Sequence, residues 1–200
     1  MKQKVYKIIF IILSIIAIIL LVFIVKKYGG RRKNELKNKE TLEVFSRIDI
    51  QDSNDSSNPK IQMDGYDVIG TVKIPKINIE YPIVSIETSN PEETKKPMKF
   101  AIVRYWGGNV NDYGNLSIAG HNNYDGTMFG KTKNLNVGDE VELTDLTKKT
   151  IKYQIYQKFT TNPNDVNVLK TEDKTGREVT LITCTNGNKE RLILKAREIN

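Results

Sequence analysis

The chain carries one cysteine, Cys184, and one histidine, His121. A thiolate is a strong nucleophile, an imidazole exchanges protons near neutral pH, and a cation beside the sulfur favours the thiolate over the thiol. Around the thiol the sequence reads REVTLITCTNGNKERLILKAREI (177–199), two strand-like runs separated by turn residues. Strand alternation puts Val179, Leu181 and Thr183 on one face and Thr180, Ile182 and Cys184 on the other. In the second run Leu192, Leu194 and Ala196 form an apolar face, which leaves Arg191 on the opposite one. A hairpin closing at Gly187-Asn188, or as a four-residue loop from Asn186 to Lys189, pairs Cys184 with Arg191. Directly opposed side chains have β-carbons about 4.5–5.5 Å apart. Closure on Asn186-Gly187 pairs Cys184 with Lys189 instead. Either register sets a cation beside the sulfur, where it favours the thiolate and can stabilise an oxyanion.

The remaining requirement is an acid or base. His121 ends the run NLSIAGH (115–121) and opens the turn-rich HNNYDGTMFG. A histidine at a strand end is accessible to protons, and an unperturbed pKa of about 6.5 suits that role. Taken singly, each residue has an ordinary explanation: a lone cysteine is often a small buried hydrophobe, and a loop histidine or hairpin arginine is often simply solvated. The coincidence of all three carries the reading.

The elements that must position them lie between about Lys60 and Asn200. There, short β-like runs alternate with Gly, Asn, Asp and Pro: 68–84, 100–106, 115–121, 139–145, 150–160, 177–185 and 190–198. Seven or eight strands in this length predict an all-β barrel or sandwich. Glu87 to Lys96 is the one candidate short helix. With a single cysteine, no intramolecular disulfide can form, so the fold must rest on its core.

The preceding segment has a different composition. Ile8 to Val25 is an apolar run of 18 residues interrupted only by Ser14. As a helix it is about 27 Å long, enough to cross a bilayer. Lys26-Lys27-Tyr28 follows directly, where a cleaved signal peptide would carry small residues, so residues 1–28 read as an uncleaved anchor. Residues 29–59 are polar and charged and read as a stalk, with helix around Asn34 to Phe45. Residues 60–200 form the globular domain.

The formal charge of +7 invites a nucleic-acid reading, which its distribution excludes. Eight of the 31 Lys and Arg fall in residues 1 to 33 with no acid, leaving 23 against 24 acids from Asn34 onward, a net of −1. The basic character belongs to the membrane flanks, and no basic stripe interleaved with aromatics follows.

These residues together resemble the sortases, membrane-anchored cysteine transpeptidases of Gram-positive bacteria. The family's Thr-Leu-x-Thr-Cys motif is matched by Thr180-Leu181-Ile182-Thr183-Cys184, the arginine opening the next strand by Arg191, and the upstream Gly-His by Gly120-His121. The resemblance covers about Val68 to Glu198. It implies a closed eight-stranded β-barrel with short helices after a single N-terminal transmembrane helix, with the catalytic domain outside the cell. It also implies that Cys184 attacks the Thr–Gly bond of a Leu-Pro-x-Thr-Gly-like sorting signal and forms a thioacyl enzyme. His121 serves as acid and then base, and Arg191 holds the substrate and its oxyanion. The second substrate is an amine, from a peptidoglycan precursor or another acceptor such as a pilin lysine. By the same resemblance TNPNDVNVL (161–169) forms the pocket for Leu-Pro, making Val166, Val168 and Leu169 wall residues. Ala119, Thr180, Ile182 and Thr183 are expected along the groove.

No cofactor or metal is expected. Some class A sortases bind calcium beside the groove, but GGNVNDYGN (107–115) offers only Asp112, with Glu172 from the later loop, which argues against calcium dependence. Within the family, the absence of a second apolar span and of an Asp-Pro-aromatic lid argues against class C. The short 160–177 connection argues against class B, which leaves a class A or D-like enzyme. The orientation implied conflicts with the charge flanks, since five basic residues follow the span and three precede it. Rival readings are an extracellular thiol hydrolase using the same residues and an anchored β-domain that binds a surface partner. An L,D-transpeptidase fits less well, because Thr183-Cys184-Thr185-Asn186 lacks its Ser-x-Gly-Cys-like context.

Overall fold

A computed structural model describes residues 2–47, 60–86, 91–171 and 175–199, and the structural statements below refer to these. They fall into two compact units, Met1–Lys37 and Asn38–Asn200. Helix α1 (Lys2–Arg47) contributes to both. In the first unit its apolar stretch is exposed throughout and is long and apolar enough to cross a membrane. The helix does not stop at Tyr28: it runs through Gly29 and Gly30 to Arg47, further than the polar composition suggested. Residues 48–59, the rest of the expected stalk, lie outside the described residues.

The second unit is a closed barrel. Its eight strands are β2 (Tyr66–Ile74), β3 (Ile79–Val84), β4 (Ile102–Trp106), β5 (Gly114–Ala119), β6 (Glu140–Asp145), β7 (Thr150–Thr161), β8 (Arg177–Thr185) and β9 (Glu190–Glu198). A two-residue strand β1 (Gln62–Met63) extends β2. Around the barrel the order is β2-β3-β4-β5-β8-β9-β7-β6, and β6 pairs back onto β2 to close the sheet. Closure leaves no open edge along the ring. The run read as 68–84 is two strands, because Pro75 has no amide hydrogen for a ladder. A 3₁₀ turn (Pro75–Ile77) and Asn78 in the left-handed region (φ 52°) reverse the chain there. Within the expected helix near Glu87 to Lys96, only Pro91–Thr94 (α2) is helical, and Glu87 to Asn90 lie outside the described residues.

Alternation sorts the side chains into two apolar clusters. Leu116 and Ile118 of β5, Val179 and Leu181 of β8, and Leu192, Leu194 and Ala196 of β9 point into the barrel with Phe129, Leu143 and Tyr153. The intervening residues Ala119, Ile182 and Ile193 join Val68, Val84 and Val103 in a second cluster on the outer face. Val168 and Phe45 cover this outer cluster. Phe45 belongs to the last turns of α1, where Asn38, Thr41 and Phe45 are buried at spacings of three and four residues. The Asn38 amide donates to the Phe100 carbonyl (2.8 Å), and the Lys148 ammonium sits 3.6 Å from the centre of the Phe45 ring. Burial lowers the Lys148 pKa from its usual value. The end of α1 is thus part of the barrel's packing.

Phe45→Ala in the full chain, held in detergent micelles, should destabilise the barrel by about 3 kcal/mol, the usual scale for emptying a buried aromatic site. A thermal melt followed by near-ultraviolet circular dichroism should show the midpoint falling by several degrees; an unchanged midpoint would mean the helix end does not support the barrel.

Candidate active site

The site grows from three neighbouring strands. β5 and β8 run parallel, in register from Gly114↔Arg177 to Ala119↔Ile182. Beyond the last pair, the Gly120 amide donates to the Ile182 carbonyl (3.1 Å), the Thr183 hydroxyl donates to the Gly120 carbonyl (2.7 Å), and the Asn122 side-chain amide donates to the Cys184 carbonyl (2.9 Å). These bonds carry the pairing past the end of the ladder and set His121 beside Cys184 on adjacent chains, which in sheets lie about 4.8 Å apart. On the other side of the sulfur, β8 and β9 are antiparallel with Cys184 directly opposite Arg191. The register is the one that closes over Asn186 to Lys189, and the alternative pairing with Lys189 does not occur. Asn186, Gly187 and Asn188 all have positive φ (47°, 61° and 71°), a backbone that Asn and Gly tolerate and most residues do not.

Imidazole, sulfur and guanidinium therefore stand in a row across β5, β8 and β9, on the barrel's outer face and each half-buried. The Arg191 Nη1 donates to the carbonyls of Asn188 and Glu190 (3.2 Å each). A guanidinium has five N–H donors, so this anchoring leaves others for an oxyanion. Gly120 fits a tight place: a β-carbon there would press on the terminal methyl of Ile102 and the Phe129 ring. Past His121 the chain is held by the Phe129 amide, which donates to the His121 carbonyl (3.0 Å), and by the Tyr81 hydroxyl, which accepts from the Met128 amide (3.0 Å).

The row opens into a groove of about 430 Å³ lined by all three residues. Ala119, Ile182 and Ile193 supply apolar floor, and Val166, Val168 and Leu169 supply one wall; Ile193 is not singled out by the sequence. Thr183 borders the groove with its hydroxyl engaged by Gly120. Thr180 does not line it. Although it shares the face of Cys184, it is fully buried and donates to the Asn115 side-chain oxygen (2.9 Å), so its expected place on the groove floor is corrected. Tyr105, Met98, Thr94 and Lys95 border the opposite side. Tyr105 was legible from strand alternation with Val103, whereas Met98 and Lys95 arrive through loop folding that no local pattern encodes.

The wall is built locally. Asp165 accepts from the Thr161 hydroxyl (2.7 Å) and, at its other oxygen, from the Asn167 amide (3.0 Å), capping the 3₁₀ turn Val166–Leu169. The Thr161 hydroxyl, followed by the Asn167 amide, holds the Asp165 carboxyl below its ordinary range. Among the described residues no cluster of His, Cys, Asp and Glu could hold a metal ion, and Glu172 lies outside them.

The sortase domain model matches residues 72–199. The chain belongs to the sortase family. It is accordingly a cysteine transpeptidase. It is 25% identical to sortase A of Bacillus anthracis over 199 residues, covering 92% of this chain and 89% of that one. Against sortase A of Staphylococcus aureus (strain NCTC 8325 / PS 47) the identity is 27% over 175 residues, covering 83% and 82%. Among solved structures, a Clostridium perfringens sortase D5 transpeptidase superposes with a TM-score of 0.64 at 28% identity, covering 86% of this sortase and 99% of that chain. The closed eight-stranded barrel is the fold they share.

The capping of Asp165 gives the sortase wall a pH dependence of known sign. A carboxylate whose folded pKa lies below its unfolded value contributes fully above the unfolded value, about 3.9 for Asp, and loses that contribution as pH falls through the folded value. The Asn167 amide resonance should therefore titrate with a midpoint below 3.9. Asp165→Asn should abolish that titration, and a midpoint at or above the ordinary value would disprove the capping role.

Proposed function

We propose that this sortase cleaves a Leu-Pro-x-Thr-Gly-like sorting signal between Thr and Gly and transfers the acyl group to an amine of the cell wall. The convergence of Cys184, His121 and Arg191 at the head of one apolar-walled groove is the observation that carries the reading. The Cys184 thiolate attacks the Thr carbonyl carbon, and negative charge builds on its oxygen beside the Arg191 guanidinium. The C–N bond then breaks as His121 gives a proton to the leaving Gly amine, leaving a thioester on Cys184. In the second half, His121 removes a proton from the incoming amine, whose nitrogen attacks the thioester carbon. The C–S bond breaks, and an amide forms.

Groove chemistry supports the substrate class. Val166, Val168, Leu169, Ala119 and Ile182 offer apolar contact to a Leu-Pro segment, while His121, Cys184 and Arg191 stand together beside them in the same groove. The exposed apolar part of α1 supports a single-pass anchor that holds the barrel outside the membrane, close to its surface substrates. The similarity to a sortase D5 transpeptidase and to two sortases A supports a class A or D-like assignment.

Cys184→Ala should abolish capture of a Leu-Pro-x-Thr-Gly peptide as a thioester, read by mass spectrometry of the intact protein, with the fold unchanged. Undiminished turnover by that variant would reject Cys184 as nucleophile. His121→Ala should slow both acylation and transfer by about 10²–10⁴-fold, the range of general acid–base catalysis. A change in peptide affinity alone would contradict its role as acid and base. Protease added to intact cells should remove the barrel; its protection would overturn the orientation.

A further inference from the structure

A buried polar cluster lies on the outer face of β5, β8 and β9, apart from the three reacting groups. Asn115, Ser117, Glu178, Thr180 and Lys195 are all less than one-tenth exposed. Two of their side chains reach the groove wall at consecutive residues. The Asn115 amide donates to the Leu169 carbonyl (3.0 Å), and the Lys195 ammonium donates to the Lys170 carbonyl (2.7 Å). Each is braced from behind. Asn115 accepts from the Thr180 hydroxyl (2.9 Å) and donates to Ser117 (3.2 Å); Lys195 pairs with Glu178 (3.0 Å). The Tyr156 hydroxyl donates to the other Glu178 oxygen (2.8 Å). Tyr156 occupies the register shift of β7 between Ile155 and Gln157, an irregularity that re-aims a strand side chain. Burial, then the Glu178 carboxylate, pushes the Tyr156 pKa up to about 12, so it remains a donor at neutral pH.

The physical argument turns on cost. A buried ammonium and carboxylate are retained only where their hydrogen bonds are satisfied. Here one of the ammonium's partners is a carbonyl of the 3₁₀ turn's exit, so the turn cannot lift without leaving a buried cation underbonded. The turn's entry is capped by its own Asp165, and its exit is held by the barrel.

We propose that Lys195 and Asn115 are positioning residues that fix the wall carrying Val166, Val168 and Leu169, and thereby set the enzyme's preference for the apolar end of its peptide. The inference rests on the sorting-peptide reading above. Neither residue touches the reacting atoms; both act through the carbonyls of Lys170 and Leu169.

The test compares the wild type with Lys195→Met/Glu178→Gln, which leaves no unpaired buried carboxylate, and with the near-isosteric Thr180→Val, which unbraces Asn115. In both variants, hydrogen–deuterium exchange of amides 162–171 should rise. KM for a Leu-Pro-x-Thr-Gly peptide should increase about tenfold in the double variant, as expected for losing one charge-assisted hydrogen bond, and about threefold in Thr180→Val, the scale of a neutral one, with kcat changed less than about twofold in both. Discrimination against an Ala-Ala-x-Thr-Gly peptide should fall in parallel. Unchanged exchange and KM, or a fall in kcat with KM unchanged, would overturn the proposal. If the double variant fails to fold, Thr180→Val decides alone. If the wild type acylates neither peptide, the sorting reading fails, and the exchange comparison still decides whether the clamp holds the wall.

Discussion

Everything at the reactive end depends on strand register. Side chains alternate with a period of two, so a slip of one residue in β8 would turn Cys184 into the barrel and put Thr183 or Thr185 on the outer face in its place. The apolar faces prevent this. Val179, Leu181, Leu192 and Leu194 must face inward together, and once they do, Cys184 and Arg191 share the outer face; the four-residue turn from Asn186 to Lys189 then sets them opposite each other. The same constraint acts through the parallel pairing of β5 with β8, where Leu116 and Ile118 fix the parity of His121. Hydrophobic burial, a non-directional force, thereby specifies the arrangement of three directional groups.

Much of this was legible in the sequence for a simple reason: alternation survives without tertiary knowledge. The bounds of β8 and β9 agree with the runs 177–185 and 190–198, and the opposition of Cys184 and Arg191 is one of the two registers that the turn residues allow. Alternation also has a blind side, since it gives a face without telling what covers that face. Thr180 shares parity with Cys184, yet the chain around Leu169 and Lys170 lies over its neighbours and excludes it from the groove. Two further features escaped the pattern, one for a long-range reason and one for a local reason. The polar segment after Gly30 reads as a linker because its buried residues Asn38, Thr41 and Phe45 form a stripe too narrow to alter the average composition. Pro75 and Asn78 divided an apolar run that, by hydrophobicity alone, is continuous.

The groove shows two ways of holding a loop. At its entry, Asp165 satisfies local donors within a few residues, a motif that needs little support from the rest of the fold. At its exit, the restraint comes from strands distant in sequence, through groups costly to bury and therefore costly to separate. His121, Cys184 and Arg191 lie on a third kind of support, the continuous ladder itself, extended by Thr183 and Asn122 where backbone pairing ends. The support is a continuous ladder beneath Cys184 and a few side-chain bonds beneath the wall.

The position of β9 in the sheet has a consequence for biogenesis. This strand is inserted between β8 and β7, although it follows both in the chain. Until it docks, β7 and β8 have no shared neighbour, the ring is open, and the sulfur has no guanidinium across from it. Domains emerge from synthesis with their N-terminal parts first. In a nascent chain the ring would therefore be completed last, and only then would a guanidinium stand across from the thiol.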